Sequence, residues 1–135
     1  MYVRSDIACD RKDKLEIKCT ESIMVDIYIN NRKWIITGVY RPPSIKDENF
    51  SNDFISTCDK LSTTYDNFLV IGDLNYDMLS PQKFTPLKNV CDIFDFTNMI
   101  KSPTCFTKNA PPTLNDVILT NQSNYSQNAL ISTVV

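Results

Sequence analysis

The sequence predicts an α/β fold, in which helices pack on β-sheets. The first forty residues carry strand patterns, with a polar turn over 30–33 between alternating apolar runs at 23–29 and 34–40. An amphipathic helix over 48–65 then leads to a short apolar strand at 68–71, as a crossover between parallel strands does. The two runs before the helix predict a β-hairpin.

Length and composition indicate one soluble globular domain. The chain has 135 residues, of which 42% are hydrophobic and 22% charged, and its net charge is −2, with Lys and Arg concentrated in the first third. No apolar run approaches the roughly 20 residues that span a bilayer. Because residues 1–6 lack the basic and apolar regions of a signal peptide, we expect an intracellular protein without a membrane segment.

The cysteines and the absence of histidine limit the chemistry. Five cysteines are widely spaced, no C-x-x-C pair occurs and the chain has no histidine, so a zinc site is not expected and the thiols should be reduced. A Ser-His-Asp or Cys-His arrangement cannot be built from these residues. Any enzyme here must use carboxylates, Tyr, Lys or Arg, or must be incomplete.

The centre of the predicted site is the stretch 68–75. Four apolar residues at 68–71 predict a strand covered on both faces, and Gly72 marks the point where the chain leaves the sheet. In extended chain, a spacing of two places the side chains of Asp73 and Asn75 on one side. A carboxylate can take a proton or hold a metal, and an amide can donate to a phosphate oxygen. The same residues also suit a tight turn, and these eight residues alone favour neither interpretation.

A second strand exit carries Tyr40 and Arg41, followed by two prolines that end the strand. A phenol and a guanidinium here could bind a phosphate. The alternative, favoured by these residues alone, is a core Tyr beside a surface Arg. However, the only two glycines, Gly38 and Gly72, each lie near the end of an apolar strand, where the backbone needs room.

The helices and later strands complete the predicted order. Asp47 is the predicted N-cap of the helix over 48–65. Thr85 is the predicted N-cap of a second helix, with Pro86 at its first position. Asp116 interrupts a predicted strand at 114–119, which suggests either a site or an edge strand with its carboxylate in water. Each helix has an apolar stripe, formed by Phe50, Phe54, Cys58 and Leu61 in the first and by Leu87, Val90, Cys91 and Phe94 in the second. Two further strands are predicted, at 97–100 and 131–135.

Four ordered segments resemble the endonuclease domain of non-LTR (LINE-type) retrotransposons, in the endonuclease/exonuclease/phosphatase superfamily. They are Val39-Tyr40-Arg41-Pro42-Pro43, Ile71-Gly72-Asp73-Leu74-Asn75, Ser102-Pro103-Thr104-Cys105-Phe106-Thr107, and 113–121 with Asp116. The resemblance implies part of a four-layered α/β sandwich of the DNase I-like type. It also implies Mg2+-dependent hydrolysis of a phosphodiester in DNA.

The resemblance assigns roles to six residues. Asp73 would orient or deprotonate the attacking water, Asn75 would donate to the scissile phosphate, and Tyr40 would contact that phosphate or the leaving group. Asp116 would pair with the family's catalytic histidine. Arg41 and Thr104 would contact DNA.

The chain also departs from the family pattern. The family's metal-binding Glu and catalytic His have no counterpart in 1–135, and Asn115 stands where the family has an aliphatic residue. We therefore expect a single partial domain, truncated at both ends, whose parent chain could carry a reverse transcriptase and act in the nucleus. The alternatives are an inactive nuclease-fold module that binds DNA or protein, and a phosphoesterase of the same superfamily.

Overall fold

A six-stranded mixed sheet organises the part of the chain that the computed structural model describes, residues 1–83 and 85–126. The strands follow the order β1-β2-β3-β4-β6-β5, and all neighbouring pairs are antiparallel except β3 and β4, which are parallel. The strands are β1 (Cys9–Arg11), β2 (Glu21–Ile29), β3 (Arg32–Tyr40), β4 (Asn67–Asp73), β5 (Thr97–Asn98) and β6 (Asp116–Thr120). The helices are α1 (Asp47–Ser62), α2 (Thr85–Phe94) and α3 (Ser123–Ser126), with a 3-10 turn at Asp13–Leu15.

The predicted hairpin is confirmed as β2 and β3. Its turn is only two residues long, because Ile29 is the register partner of Arg32. Asn30 and Asn31 have φ values of 50° and 62°, the left-handed values that a type I′ hairpin turn requires and that Asn tolerates. Arg32 therefore belongs to the returning strand rather than to the predicted four-residue turn.

Helix α1 is the predicted crossover between the parallel strands β3 and β4. Its predicted stripe is confirmed as buried, and the rings of Phe50 and Phe54 lie 5.4 Å apart. The predicted cap is wrong, however. Lys46 precedes the helix without a side-chain cap, and the carboxylate of Asp47 bonds elsewhere, to Arg41 and Tyr76.

The second helix packs beside the first on the same core. In α2, Leu87 and Val90 are fully buried, whereas Cys91 and Phe94 pack at the margin of the core. Phe96, just after the helix, lies over Phe54 with ring centroids 6.3 Å apart. The strand predicted at 97–100 is shorter, and the one predicted at 131–135 lies outside the described residues.

The two faces of the sheet differ in what covers them. Met24, Ile35 and Val39 point into the core beneath the helices. Successive residues of a strand point to opposite faces. Ile23 on β2 and Ile71 on β4, which are both register partners of Gly38 on β3, therefore lie on the opposite face. There they are 36% and 39% exposed. The expectation that the 68–71 strand is covered on both faces is therefore wrong at Ile71, although the predicted α/β class is confirmed.

Candidate functional site

Three predicted site residues lie in one row across the sheet. Asp73, the last residue of β4, is the register partner of Tyr40 on β3 and of Asp116 on β6. Neighbouring strands are about 5 Å apart, and registered residues point to the same face. Tyr40 precedes Asp73 by 33 positions and Asp116 follows it by 43, yet all three lie at one edge, as the strand-exit interpretation predicts.

Gly72 allows this row to form. Its φ is +156°, and a Cβ atom there would lie 1.7 Å from the carbonyl oxygen of Val39, which real side chains never do. The reasoning that glycine gives the backbone room is therefore confirmed at Gly72. At Gly38 it is not, because a Cβ would meet only the flexible end of Met1, at 3.3 Å.

Asn75 reaches the site by a tight turn rather than by extended chain. Strand β4 ends at Asp73, and Asn75 has a φ of 52°. Its backbone N–H donates to Oδ1 of Asp73 at 2.9 Å, the bond of an Asx turn. The turn interpretation is therefore right about the geometry, and the turn itself brings the two side chains together. The amide Nδ2 donates one hydrogen to the carbonyl oxygen of Arg41 at 2.8 Å and retains a second one.

Asp116 lies at a strand end next to Thr104. Strand β6 begins at Asp116, so the carboxylate is not inside a strand as predicted. Strand β5 pairs with β6 only at Leu119 and Thr120, so within the described residues Asp116 has β4 as its one strand neighbour, although its side chain is half-buried. The backbone N–H of Asp116 donates to the hydroxyl oxygen of Thr104 at 3.3 Å, which brings Thr104 to the same edge. Both residues are half-buried.

The alternative of a core Tyr40 beside a surface Arg41 is wrong, because the tyrosine is exposed and the arginine is buried. Tyr40 is 41% exposed, whereas Arg41 is only 4% exposed. The guanidinium of Arg41 donates to the carbonyl oxygens of Leu74 and Ile45 and to the carboxylate of Asp47. The expectation that Arg41 contacts DNA is corrected by this geometry, because a buried guanidinium with these partners does not face a ligand.

Asp47 and Tyr76 support the site by contacting Arg41, a role that the sequence analysis did not predict. Asp47 accepts hydrogen bonds from both Arg41, at 2.7 Å, and the phenol of Tyr76, at 2.9 Å. Burial and the bond to Asp47 raise the pKa of Tyr76 well above its usual range, against a smaller lowering effect of Arg41. The signal available was proximity: Tyr76 directly follows Asn75, and Asp47 lies six residues after Arg41.

The described residues do not complete a divalent-metal site. Among them, no group of three or more Asp, Glu, Cys or His side chains lies close enough to hold an ion. Asp73 and Asp116 supply two carboxylates, and Mg2+ in proteins is commonly held by one or two carboxylates together with water and phosphate oxygens. Glu21 is the register partner of Tyr40, but it lies two strands from Asp73.

At least five of the nine lysines and arginines in residues 1–46 form ion pairs with carboxylates. Ion pairs join Arg4 to Asp6 and Arg11 to Glu16. Lys33 lies 3.4 Å from Asp26. These pairs reduce the positive charge that this part of the chain can offer to a polyanion.

Comparison with known families and with curated proteins finds no match to this sequence. Solved structures do match. The endonuclease domain of TRAS1, a telomere-specific non-LTR retrotransposon, superimposes with a TM-score of 0.70 at 13% identity, over 89% of this chain and 58% of that domain. This chain has part of the endonuclease/exonuclease/phosphatase fold.

Two further structures with this DNase I-like fold extend the comparison. An endonuclease/exonuclease/phosphatase family protein from Leptotrichia buccalis gives a TM-score of 0.55 at 12% identity, over 84% of this chain and 49% of that protein. Staphylococcus aureus beta toxin with bound magnesium ions gives 0.54 at 12% identity, over 76% and 42%. The chain thus spans about half the length of these structures. Within the described residues, no helix is long and apolar enough to cross a membrane.

Proposed function

We propose that this chain provides part of a Mg2+-dependent DNA endonuclease site that hydrolyses a phosphodiester bond. The observation that carries the proposal is the row of Tyr40, Asp73 and Asp116, which three separate strands bring to one edge of the sheet. The fold supports the same chemistry, because TRAS1 is named as an endonuclease and its domain has this fold.

The chemistry assigned to each group follows from its placement. In hydrolysis a water oxygen bonds to phosphorus, the bond to the leaving oxygen breaks, and a proton of the water must be accepted. Asp73 is the acceptor, since a carboxylate can take a proton from water and its Oδ1 is already fixed by the N–H of Asn75. The second amide hydrogen of Asn75 donates to a phosphate oxygen. The exposed phenol of Tyr40 donates to the same phosphate.

Asp116 and Thr104 form the other half of the site. Asp116 is the group that would orient a histidine supplied from outside 1–135, since the chain itself has none. Thr104 presents a hydroxyl beside Asp116 and would contact the DNA backbone. The Mg2+ ion would need further ligands beyond Asp73 and Asp116. DNA as the partner, a reverse transcriptase in a longer parent chain and action in the nucleus belong to the same proposal.

A second candidate function is a module with this fold that binds DNA or protein without cutting. The absence of histidine from the whole sequence and of a three-ligand acidic group from the described residues favours it. Its binding would be weak at physiological salt, because the net charge is −2.

Nicking of supercoiled plasmid with Mg2+ tests the proposal. The assay uses residues 1–135 and a version joined to segments that carry the family's Glu and His, each as wild type, Asp73→Ala and Asp92→Ala. Asp92 is the matched control, because it is an aspartate with a 62% exposed side chain that pairs only with Lys88 on the surface. We expect nicking by the joined version, loss of at least about 100-fold in Asp73→Ala, and no change in Asp92→Ala.

The other outcomes separate the two candidates. Nicking by 1–135 itself, dependent on Asp73, would show that the Glu and His segments are not needed. Mg2+-independent nicking, or equal nicking by all variants, would contradict the endonuclease proposal. DNA binding without nicking in every version would favour the non-cutting module.

A further inference from the structure

Arg41 makes a hydrogen bond with each of three consecutive residues of the candidate site. Its backbone N–H donates to the carbonyl oxygen of Asp73 at 2.9 Å. Its guanidinium donates to the carbonyl oxygen of Leu74 at 3.3 Å. Its own carbonyl oxygen accepts from the amide of Asn75 at 2.8 Å. Two of these bonds use the main chain of residue 41, and the bond to Leu74 is the one that the guanidinium adds, at the residue between the carboxylate and the amide.

The same guanidinium is anchored on its other side. One terminal nitrogen donates to the carbonyl oxygen of Ile45 at 2.6 Å and to Asp47 at 2.7 Å. The guanidinium carbon lies 4.2 Å from the centre of the Tyr76 ring, within cation–π distance. Because Tyr76 also donates to Asp47, the guanidinium is held between the start of α1 and the segment after β4.

This arrangement fits positioning better than substrate contact. The Arg41 side chain is 5% exposed, so a phosphate could approach it only if the surrounding loop opened. Its Nε is buried with no partner among the described residues, so the guanidinium is held by its two terminal nitrogens, which make the bonds to Leu74, Ile45 and Asp47. Meanwhile Asn75 occupies a left-handed conformation, with φ 52°, which needs support from its surroundings.

We infer that Arg41 is a positioning residue, which fixes the Asp73–Asn75 turn and thereby sets where the carboxylate and amide point. The catalytic consequence of this role rests on the proposed function. The local consequence does not, since the hydrogen bonds to residues 73, 74 and 75 exist whatever the site does.

Amide hydrogen exchange by NMR on residues 1–135 tests the local claim. The variants are Arg41→Met, which removes the guanidinium while keeping the stem length, and Arg41→Lys, which keeps the charge and is expected to fold in any case. Arg11→Met is the control, because Arg11 also pairs with a carboxylate, that of Glu16, but is 59% exposed on β1. The amides monitored are those of residues 41, 74 and 75, with the β2–β3 hairpin as reference.

The amides of residues 74 and 75 donate to Asn115 and to the Asp73 carboxylate, not to Arg41. We expect their exchange to accelerate at least about tenfold in Arg41→Met, because the segment after β4 opens more often once the guanidinium's charge-assisted bonds are lost. Arg41→Lys should show a smaller change at the same amides, because one ammonium cannot reach Leu74, Ile45 and Asp47 together. The hairpin reference should stay within about twofold, and Arg11→Met should leave residues 74 and 75 unchanged.

Two results would overturn the inference. Protection at residues 74 and 75 that is unchanged in both Arg41 variants would show that the turn does not depend on the guanidinium. Acceleration that is equal throughout the sheet would show a general effect on stability, with no positioning role.

Nicking by the joined version, where it occurs, then measures the catalytic consequence. We expect kcat to fall at least about tenfold in Arg41→Met with KM changed less than about threefold. Local exchange that responds while no version nicks would reject the endonuclease proposal and leave the positioning role intact. Unchanged exchange at residues 74 and 75 together with active nicking would reject the positioning role and leave the endonuclease proposal intact.

Discussion

Asp73 and Asp116 lie directly opposite each other across β4 and β6, although 43 residues separate them in the chain. Registered residues on neighbouring antiparallel strands point to the same face of the sheet. The two side chains therefore project from one end of β4 and β6 toward the same space. Two carboxylates that share one space can act on one ligand, one as a proton acceptor and the other as a partner for a second group.

Replacement of Gly72 tests the close approach of β3 and β4. Gly72→Ala should lower the free energy of unfolding by at least about 2 kcal/mol, since its Cβ would overlap the Val39 carbonyl oxygen and the φ of +156° is strained for alanine. Urea unfolding followed by circular dichroism measures the change. Gly38→Ala is the matched control and should change stability by less than about 1 kcal/mol. Equal losses in both variants would show that the overlap at Gly72 is not decisive.

The network around Asp26 predicts a dependence of stability on pH. Burial alone would raise the pKa of Asp26, but the hydrogen bond from Tyr65 and the ammonium groups of Lys12 and Lys33 outweigh it and lower the pKa below its usual range. The carboxylate therefore stabilises the fold above its unfolded pKa of about 3.9, and this contribution is lost as pH falls below that value.

The melting temperature at pH 6 and pH 3 measures this contribution. Wild type should lose more stability over that range than Asp26→Asn, which has no carboxylate to protonate at this position. Asp6→Asn is the control, because Asp6 pairs with Arg4 at the exposed surface and should follow wild type. Parallel curves for wild type and Asp26→Asn would contradict the account of the network.

The cysteines should differ widely in reactivity. Cys58 is 1% exposed and burial raises the pKa of its thiol well above the usual range, and burial raises the pKa of Cys91 to about 11. Cys9 is exposed. At pH 8, iodoacetamide should therefore modify Cys9 at least about 100-fold faster than Cys58, as peptide mass spectrometry can measure. Comparable rates at the two thiols in folded protein would show that the helical core opens readily.

The sequence predicts an element correctly where residues close together in the chain determine its structure. The turn at Asn30 and Asn31 needs left-handed residues, and asparagine tolerates that conformation. The stripe of α1 recurs at helical spacing, so its burial followed from the pattern. The crossover between β3 and β4 also followed, because a helix between two apolar strands favours a parallel pair.

Burial of Tyr40 and Arg41 could not be predicted in the same way. Residue type favours a buried tyrosine and an exposed arginine, yet the structure has the opposite. The cause lies in partners distant in sequence, since the carbonyl oxygen of Leu74 and the ring of Tyr76 surround the guanidinium. An aspartate at the start of a helix is typical of an N-cap, and only the fold shows that the carboxylate of Asp47 bonds instead to Arg41, six residues earlier, and to Tyr76.

The central claim is that Asp73 and Asp116 act in one site, and a double-variant cycle in the nicking assay tests it most directly. The rates of Asp73→Ala, Asp116→Ala and the double variant are compared with wild type in the joined version. Residues that act as a unit are strongly non-additive, so the double variant should lose little more activity than the more damaging single variant. Losses that multiply, or a single variant that nicks like wild type, would contradict the claim.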